Sequence, residues 1–273
     1  MAHGDEGTLT LVTSRDGTEI GWFTTGEGPP LVLVHGGLGD HRHWGALRPY
    51  LEPRFTVHAM DRRGRGASSD GPVYAPQREF EDVAAVIDAV AEGAGSTADV
   101  YGMSSGATFA LGAAGLTSNV RRLALYEPGI TVAADHVSPD LAARLDALLT
   151  AGDGDGLVET FFREALGRGD DLIATMRSEP LWAMFVAAAP TWPRELRNPP
   201  EQLFDASQAA SVNVPTLLLK GSEGPASLHA DLRMVADTVP GARIAVLEGQ
   251  EHSADVVAPE LVAEHLLAFF GEP

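Results

Sequence analysis

The sequence Gly102-Met103-Ser104-Ser105-Gly106 sets a hydroxyl between two glycines, where a strand-like segment at 99–101 meets an Ala-rich helical segment ending near residue 116. A G-x-S-x-G turn in that setting holds its central serine in a strained conformation with the hydroxyl exposed, so Ser104 reads as a nucleophile. A serine that merely caps the helix is the competing reading. A hydroxyl is a weak nucleophile at neutral pH and needs an adjacent base. Of the nine histidines, His252 fits best. It follows a strand-like segment at 243–247 by a short loop and precedes the last helical segment, a position where α/β active sites gather. His41, His43, His229 and His265 read as surface or packing residues. Negative charge developing on a carbonyl oxygen needs backbone N–H donors. One is assigned to Ser105, the residue after the nucleophile. The other is assigned to Gly37, with Leu38 as its neighbouring alternative, in the run His35-Gly36-Gly37-Leu38-Gly39. That run lacks the G-x-G-x-x-G and GK[ST] patterns of a phosphate loop.

Elements that could position these groups alternate along the chain. Segments 8–13 and 18–24 flank Asp16-Gly17 and read as a hairpin. The apolar run 31–34 reads as a strand buried on both faces, with a further strand at 55–59. Residues 79–93 carry Val83, Val86, Ile87 and Val90 at helical spacing. Strands at 122–126, 216–220 and 243–247 and helices at 226–239 and 259–270 complete the pattern. Between about 131 and 210 only helical segments, Gly-Asp turns and a Pro-rich stretch are found. The expected architecture is a mainly parallel α/β sheet with right-handed crossovers, interrupted by a helical insertion. A core of 1–130 with 211–273 and a helical unit of 131–210 are the expected domains.

Composition narrows the chemistry. The chain has 273 residues, no cysteine and a formal net charge of −19. Thiol nucleophiles, thiolate metal sites and disulfides are therefore excluded. A polyanion such as nucleic acid is repelled. The acid excess is smallest over the first 70 residues and largest after residue 150. The N-terminus lacks a basic, then apolar, secretory signature, and no apolar stretch nears the roughly 20 residues of a membrane span. A cytoplasmic monomer or homodimer with no membrane attachment is the expectation.

With HGG (35–37), DRRGRGAS (61–68), GMSSG (102–106) and GQEHS (249–253), the chain resembles the α/β-hydrolase superfamily over nearly its full length. The resemblance implies a core of about eight strands, a helical cap inserted after the sixth, a Ser-His-acid site and no metal or organic cofactor. It also implies that the Arg62-Arg63-Gly64-Arg65-Gly66 run is a structural loop beside the elbow, not an anion site.

The acid departs from the family pattern. Where the family places aspartate after the strand ending at Lys220, this chain reads Gly221-Ser222-Glu223-Gly224-Pro225. Glu223 is one replacement. The other is Glu127, at the end of the preceding strand, whose longer side chain has the reach to fix the imidazole tautomer. Glu127 is preferred, and the order Ser-Glu-His is preserved. This combination resembles the fungal zearalenone lactonases, which open a macrolactone. That likeness rests on short patches.

The insertion carries many large apolar residues, among them Phe161, Phe162, Leu172, Met176, Phe185 and Trp192. Trp182 and Met184, with Leu38 and Met103 near the nucleophile, are the expected substrate contacts. Such a roof suits a small hydrophobic ester or lactone. Thioester or C–C hydrolysis, perhydrolysis and a non-catalytic receptor on the same fold use or retain the same residues and stay open.

Overall fold

The computed structural model describes residues 7–131 and 137–272. Eight strands form one sheet in the order β1-β2-β4-β3-β5-β6-β7-β8: β1 (Thr8–Thr13), β2 (Glu19–Thr25), β3 (Pro30–Val34), β4 (Thr56–Met60), β5 (Ala98–Met103), β6 (Val120–Tyr126), β7 (Thr216–Gly221) and β8 (Arg243–Leu247). β1 and β2 are the antiparallel hairpin, β2 joins β4 antiparallel, and every later pairing is parallel. The expected mainly parallel α/β sheet is thus present. Seven of the sixteen strand ends lie one or two residues beyond the expected segments, and β2 and β4 each start one residue inside them.

The central strands are apolar throughout because both faces are covered. Along β3, Val32 and Val34 face α1 (Pro76–Ala94), α2 (Ser105–Ala114) and α8 (Ala226–Thr238), with Val83, Ile87, Phe109 and Leu232 in the same core. Leu31 and Leu33 face the opposite side, against α9 (Pro259–Phe270) and Trp44, Leu47 and Phe269. All four β3 residues are fully buried, each contributing about 1.5–3 kcal/mol from apolar burial.

Between β6 and β7 the described residues hold helices and no strand: α3 (Pro139–Thr150), α4 (Gly154–Thr160), a π-turn (Phe161–Ala165), α5 (Asp170–Arg177), α6 (Pro180–Ala188) and α7 (Trp192–Glu195), followed by two further short helices at Pro200–Leu203 and Ala206–Ala210. Ser138 and Asp153 accept the Leu141 and Gly156 N–H groups and so start α3 and α4. These helices share a third apolar cluster, which includes Leu145, Leu157, Phe162 and Trp182 and reaches Leu38 of the sheet-side loop. The expected start of this segment at 131 falls partly on residues 132–136, outside the described residues. Among those described, no helix is long and apolar enough to cross a membrane.

The loop after β4 is a dense ionic turn. Asp61 accepts the backbone N–H groups of His41 and Ala67 at 2.7 and 2.8 Å. Arg63, fully buried, binds Asp82 through 2.6 and 2.8 Å contacts, and Arg62 binds Glu79 through 2.7 and 3.0 Å contacts. Both carboxylates stand on α1, which fastens the loop to the sheet. Buried charges persist only when paired this completely.

Close approach decides where glycine is needed. A Cβ on Gly106 would lie 2.2 Å from the Val34 carbonyl oxygen, whereas one on Gly93 of α1 would meet nothing within 4 Å. Gly106→Ala is expected to lower the denaturation midpoint sharply. Gly93→Ala should stabilise by about 0.5–1 kcal/mol through helix propensity. Urea titration of the two variants checks the contrast, and equal shifts would contradict the packing described.

Candidate active site

Ser104 sits between β5 and α2 with φ 56° and ψ −127°, a left-handed conformation for a non-glycine residue. Such a backbone costs about 1–3 kcal/mol and persists only where its surroundings enforce it. Here the Ser104 N–H donates to the Tyr126 carbonyl at 2.9 Å, and the Ser104 carbonyl accepts from Ala107, Thr108 and Gly129. The side chain makes no cap bond to the helix, so the helix-cap alternative does not describe it.

Ser104 and His252 face one cavity of about 280 Å³ at the carboxyl ends of the strands. Its wall includes Gly36, Gly37, Leu38, Gly39 and Met103 from the core, and Phe161, Phe162, Ala165, Leu166, Phe185 and Trp192 from the helical segment. His43, Arg168 and Leu228 also line it. A wider groove of about 840 Å³ touches Pro30, Thr56, Thr97 and Arg121, at the amino ends of the strands, on the opposite edge from the nucleophile turn.

Glu127, the first residue after β6, is fully buried and also has positive φ, 42°. Its Oε2 lies 2.6 Å from His252 Nδ1, and its Oε1 accepts the Gly221 N–H at 2.9 Å. β7 lies between β6 and β8, so the carboxylate reaches across the end of β7 to the loop after β8. Gly224 makes the passage possible: a Cβ there would stand 2.5 Å from Glu127 Oε1. The chain around Glu127 is anchored by buried Asp231, which accepts the Ile130 and Thr131 N–H groups at 2.8 Å. Tyr126 donates its hydroxyl to the Glu251 carbonyl, beside His252. Glu223, the other candidate, is exposed and accepts from the Ser222 hydroxyl at 3.0 Å; it is not brought to His252.

The glycine loop is oriented from behind. Arg62, fully buried, donates to the Gly36 carbonyl at 3.2 Å and to the Ser105 hydroxyl at 3.2 Å. Arg65 donates to the Gly37 carbonyl at 2.6 Å. His35 takes the Arg62 N–H on Nε2 at 3.1 Å and meets the Gly36 carbonyl through Nδ1 at 2.8 Å. Burial, with Arg62 and Arg65 nearby, holds this imidazole well below the usual histidine range, so it is neutral with its proton on Nδ1. Glu195 of α7 lies 2.9 Å from Arg62 and also accepts from Arg65. Burial pushes the Glu195 carboxyl up, and the two guanidiniums outweigh it and hold the group below its ordinary value.

Of the expected substrate contacts, Leu38 and Met103 line the cavity; Trp182 and Met184 do not. Trp182 stands one layer back, packed on Phe162 and Phe185 with ring centroids 6.1 and 6.5 Å away, and its Nε1–H donates to Asp155 at 2.7 Å. Met184 is buried on the same helix. Apolar content alone cannot tell the face of a helix that meets a cavity from the face that meets its neighbours. His43 also departs from its surface-or-packing reading. It lines the cavity and binds buried Asp255 through Nε2 at 2.5 Å. Burial disfavours its charge, but Asp255 and Asp40 outweigh that and raise it above the usual histidine value. Asp255 lies 212 positions from His43, so no local motif announces the pair.

Among the described residues, Asp40, His41 and Asp61 are the one trio of metal-ligating types whose donor atoms lie within 4.8 Å of one another. Asp61 is spent on His41 and Ala67, and Asp40 on Arg42, so the donor set is already committed to protein partners.

Residues 31–265 match the model of the Alpha/beta hydrolase family. A crystal structure described as an alpha/beta hydrolase from Sphaerobacter thermophilus DSM 20745 is 40% identical, with TM-score 0.79, covering 96% of this chain and all of that one. Pyrrolizixenacetamide deacetylase of Xenorhabdus hominickii is 37% identical over 110 residues, 39% of this chain and 40% of that protein. The match thus spans about two-fifths of the relative's length. The enol-lactonase of Burkholderia xenovorans LB400 shares the fold with TM-score 0.73 at 20% identity, covering 96% of this chain and all of that one.

The Gly224 contact yields a direct expectation. A 2.6 Å imidazole–carboxylate bond gives a far-downfield Nδ1–H proton resonance. Gly224→Ala should remove that signal by displacing Glu127, whereas Glu223→Gln should leave it in place. A resonance that survives Gly224→Ala would show that Glu127 does not need the vacant Cβ position.

Proposed function

Because the chain belongs to the alpha/beta hydrolase family, we propose that it hydrolyses carboxylic esters or lactones through an acyl-enzyme on Ser104. The observation that carries this reading is the 2.6 Å Glu127–His252 contact at a cavity shared with the strained Ser104. With Nδ1 held by Glu127, Nε2 is the imidazole nitrogen left to exchange protons with Ser104.

Ser104 Oγ attacks the acyl carbon while its proton passes to His252 Nε2. The carbonyl π pair moves to oxygen, where the N–H groups of Gly37 and Ser105 receive the charge. Collapse of the intermediate expels the alcohol, which takes the proton from Nε2. Water then gives a proton to Nε2 and attacks the acyl-enzyme, and Ser104 leaves with that proton. Glu127 orients His252 and stabilises its cationic form.

The segment 131–210 serves as a cap over a core of 1–130 and 211–273. Phe161, Phe162, Phe185 and Trp192 form its apolar underside, which suits a hydrophobic acyl or alcohol group. The similar deacetylase and the enol-lactonase of the same fold are named for acyl-bond cleavage, which supports this reading. A volume of about 280 Å³ lies at the small end for ligand pockets, roughly 300 Å³ upward. It favours a small ester or lactone over a macrolactone such as zearalenone.

Ser104→Ala is expected to cut hydrolysis of 4-nitrophenyl acetate by roughly 10³-fold or more, and Glu127→Gln by roughly 10²- to 10⁴-fold. Glu223→Gln should match the wild type. Loss in Glu223→Gln with retention in Glu127→Gln would move the acid to the other carboxylate. Covalent labelling by a fluorophosphonate, lost in Ser104→Ala, separates an enzyme from a receptor: folded protein that resists the probe, beside a labelled control hydrolase, is not a serine hydrolase.

A further inference from the structure

Arg62 and Arg65 converge on the two places that must supply oxyanion donors. Arg62 holds the Gly36 carbonyl and the Ser105 hydroxyl, each at 3.2 Å, and Arg65 holds the Gly37 carbonyl at 2.6 Å. A trans peptide is planar, with C=O and N–H pointing in opposite directions. Gripping the Gly36 oxygen therefore fixes the Gly37 N–H, and gripping the Gly37 oxygen fixes the Leu38 N–H. Both alternatives for the second donor are aimed by the same two guanidiniums.

Those guanidiniums share one carboxylate from the helical segment. Glu195 Oε2 lies 2.9 Å from Arg62, and Oε1 accepts from Arg65. All three side chains are buried, so little solvent screens the network. On the core side Glu79 serves Arg62 at 2.7 Å, whereas Glu195 is the one carboxylate among the described residues that contacts Arg65. One turn earlier on the same short helix, Trp192 packs against the glycine loop: a Cβ on Gly37 would stand 1.5 Å from its ring. Thus α7 presses the loop with one residue and holds its carbonyls, through arginine, with another.

We propose that Glu195 is a positioning residue that sets the oxyanion-binding loop from the helical segment, so that cavity roof and N–H donors are assembled as one unit. This rests on the ester-hydrolase reading above. The coupling makes the site competent only when α7 is seated. Removing the charge leaves two buried guanidiniums against Glu79 and frees Arg65 to turn from Gly37.

The test compares the wild type with Glu195→Gln and Glu195→Asp, measuring 4-nitrophenyl acetate turnover per active site, the affinity for phenylboronic acid and the thermal midpoint. The boronate forms a tetrahedral anionic adduct on serine and so reports the donors directly. Misplaced groups cost a rate factor of up to about 10². In Glu195→Gln, kcat and boronate affinity should fall together by roughly 10- to 100-fold with a much smaller change in KM. Glu195→Asp, which keeps the charge, should recover part of both. A lowered midpoint with boronate affinity and per-site kcat intact would reduce Glu195 to a structural tie and overturn the proposal. If Glu195→Gln does not fold, Arg65→Lys serves. One ammonium lacks the planar fork that holds Gly37 and Glu195 together, so the same parallel loss is expected and its absence is equally decisive. Wild-type protein that neither turns over esters nor binds the boronate overturns the hydrolase reading itself, and the inference with it.

Discussion

The contact between Glu127 and His252 crosses the end of an intervening strand, and much of the local architecture exists to permit it. The carboxylate starts at the end of β6 and meets an imidazole on the loop after β8, 125 positions later in sequence. Reaching that far requires three concessions from the chain. Glu127 takes a left-handed backbone. Gly221 turns its N–H toward the second carboxylate oxygen. Gly224 gives up its side chain, because any Cβ there would collide with the carboxylate. The vacancy at 224 and the acid at 127 are therefore one structural decision. A side chain after β7 and a carboxylate after β6 compete for the same space, and this chain gives it to Glu127.

The same economy governs the other side of the nucleophile. The arginine-rich loop after β4 places cations next to the cavity that Ser104 and His252 face, yet these cations are paired within the protein. Arg62, Arg63 and Arg65 are buried and matched to Glu79, Asp82, Asp16 and Glu195. Charges so deep survive because each is bonded several times over. Further donors of Arg62 and Arg65 go to the Gly36 and Gly37 carbonyls and the Ser105 hydroxyl. Rigidity at those carbonyls is what a preorganised oxyanion site requires, since donors that must reorient lose most of their value.

The net charge of −19 does not describe the cavity. Its wall contains His43, Arg168 and His252 and no aspartate or glutamate. The acidic residues go to paired arginines, to histidines and backbone N–H groups behind the wall, and to exposed surface, while the wall is drawn mainly from apolar residues of the glycine loop and the helical segment. Overall charge bears on solubility and long-range attraction; the lining is set by which few side chains the fold turns inward.

The fold and the strained turn that carries Ser104 were legible in the sequence because their signals are local. Alternating apolar segments mark strands buried on both faces, and two glycines around Ser104 mark a turn where strand and helix approach too closely for a Cβ, as the 2.2 Å clearance at Gly106 shows. Glu127 could be named because strand ends share one edge of a parallel sheet. What required the tertiary structure was everything decided by which face a helix presents or by partners distant in sequence. Trp182 and Met184 are as apolar as Phe185 on the same helix, but a rotation along that helix turns the first two into packing and Phe185 toward the cavity. His43 gained its place from Asp255, and Glu195 gained its place from Arg62 and Arg65, 130 positions away in the case of Arg65. Periodicity and spacing constrain a residue against its near neighbours along the chain, whereas these contacts form only once the sheet brings remote loops to a common edge.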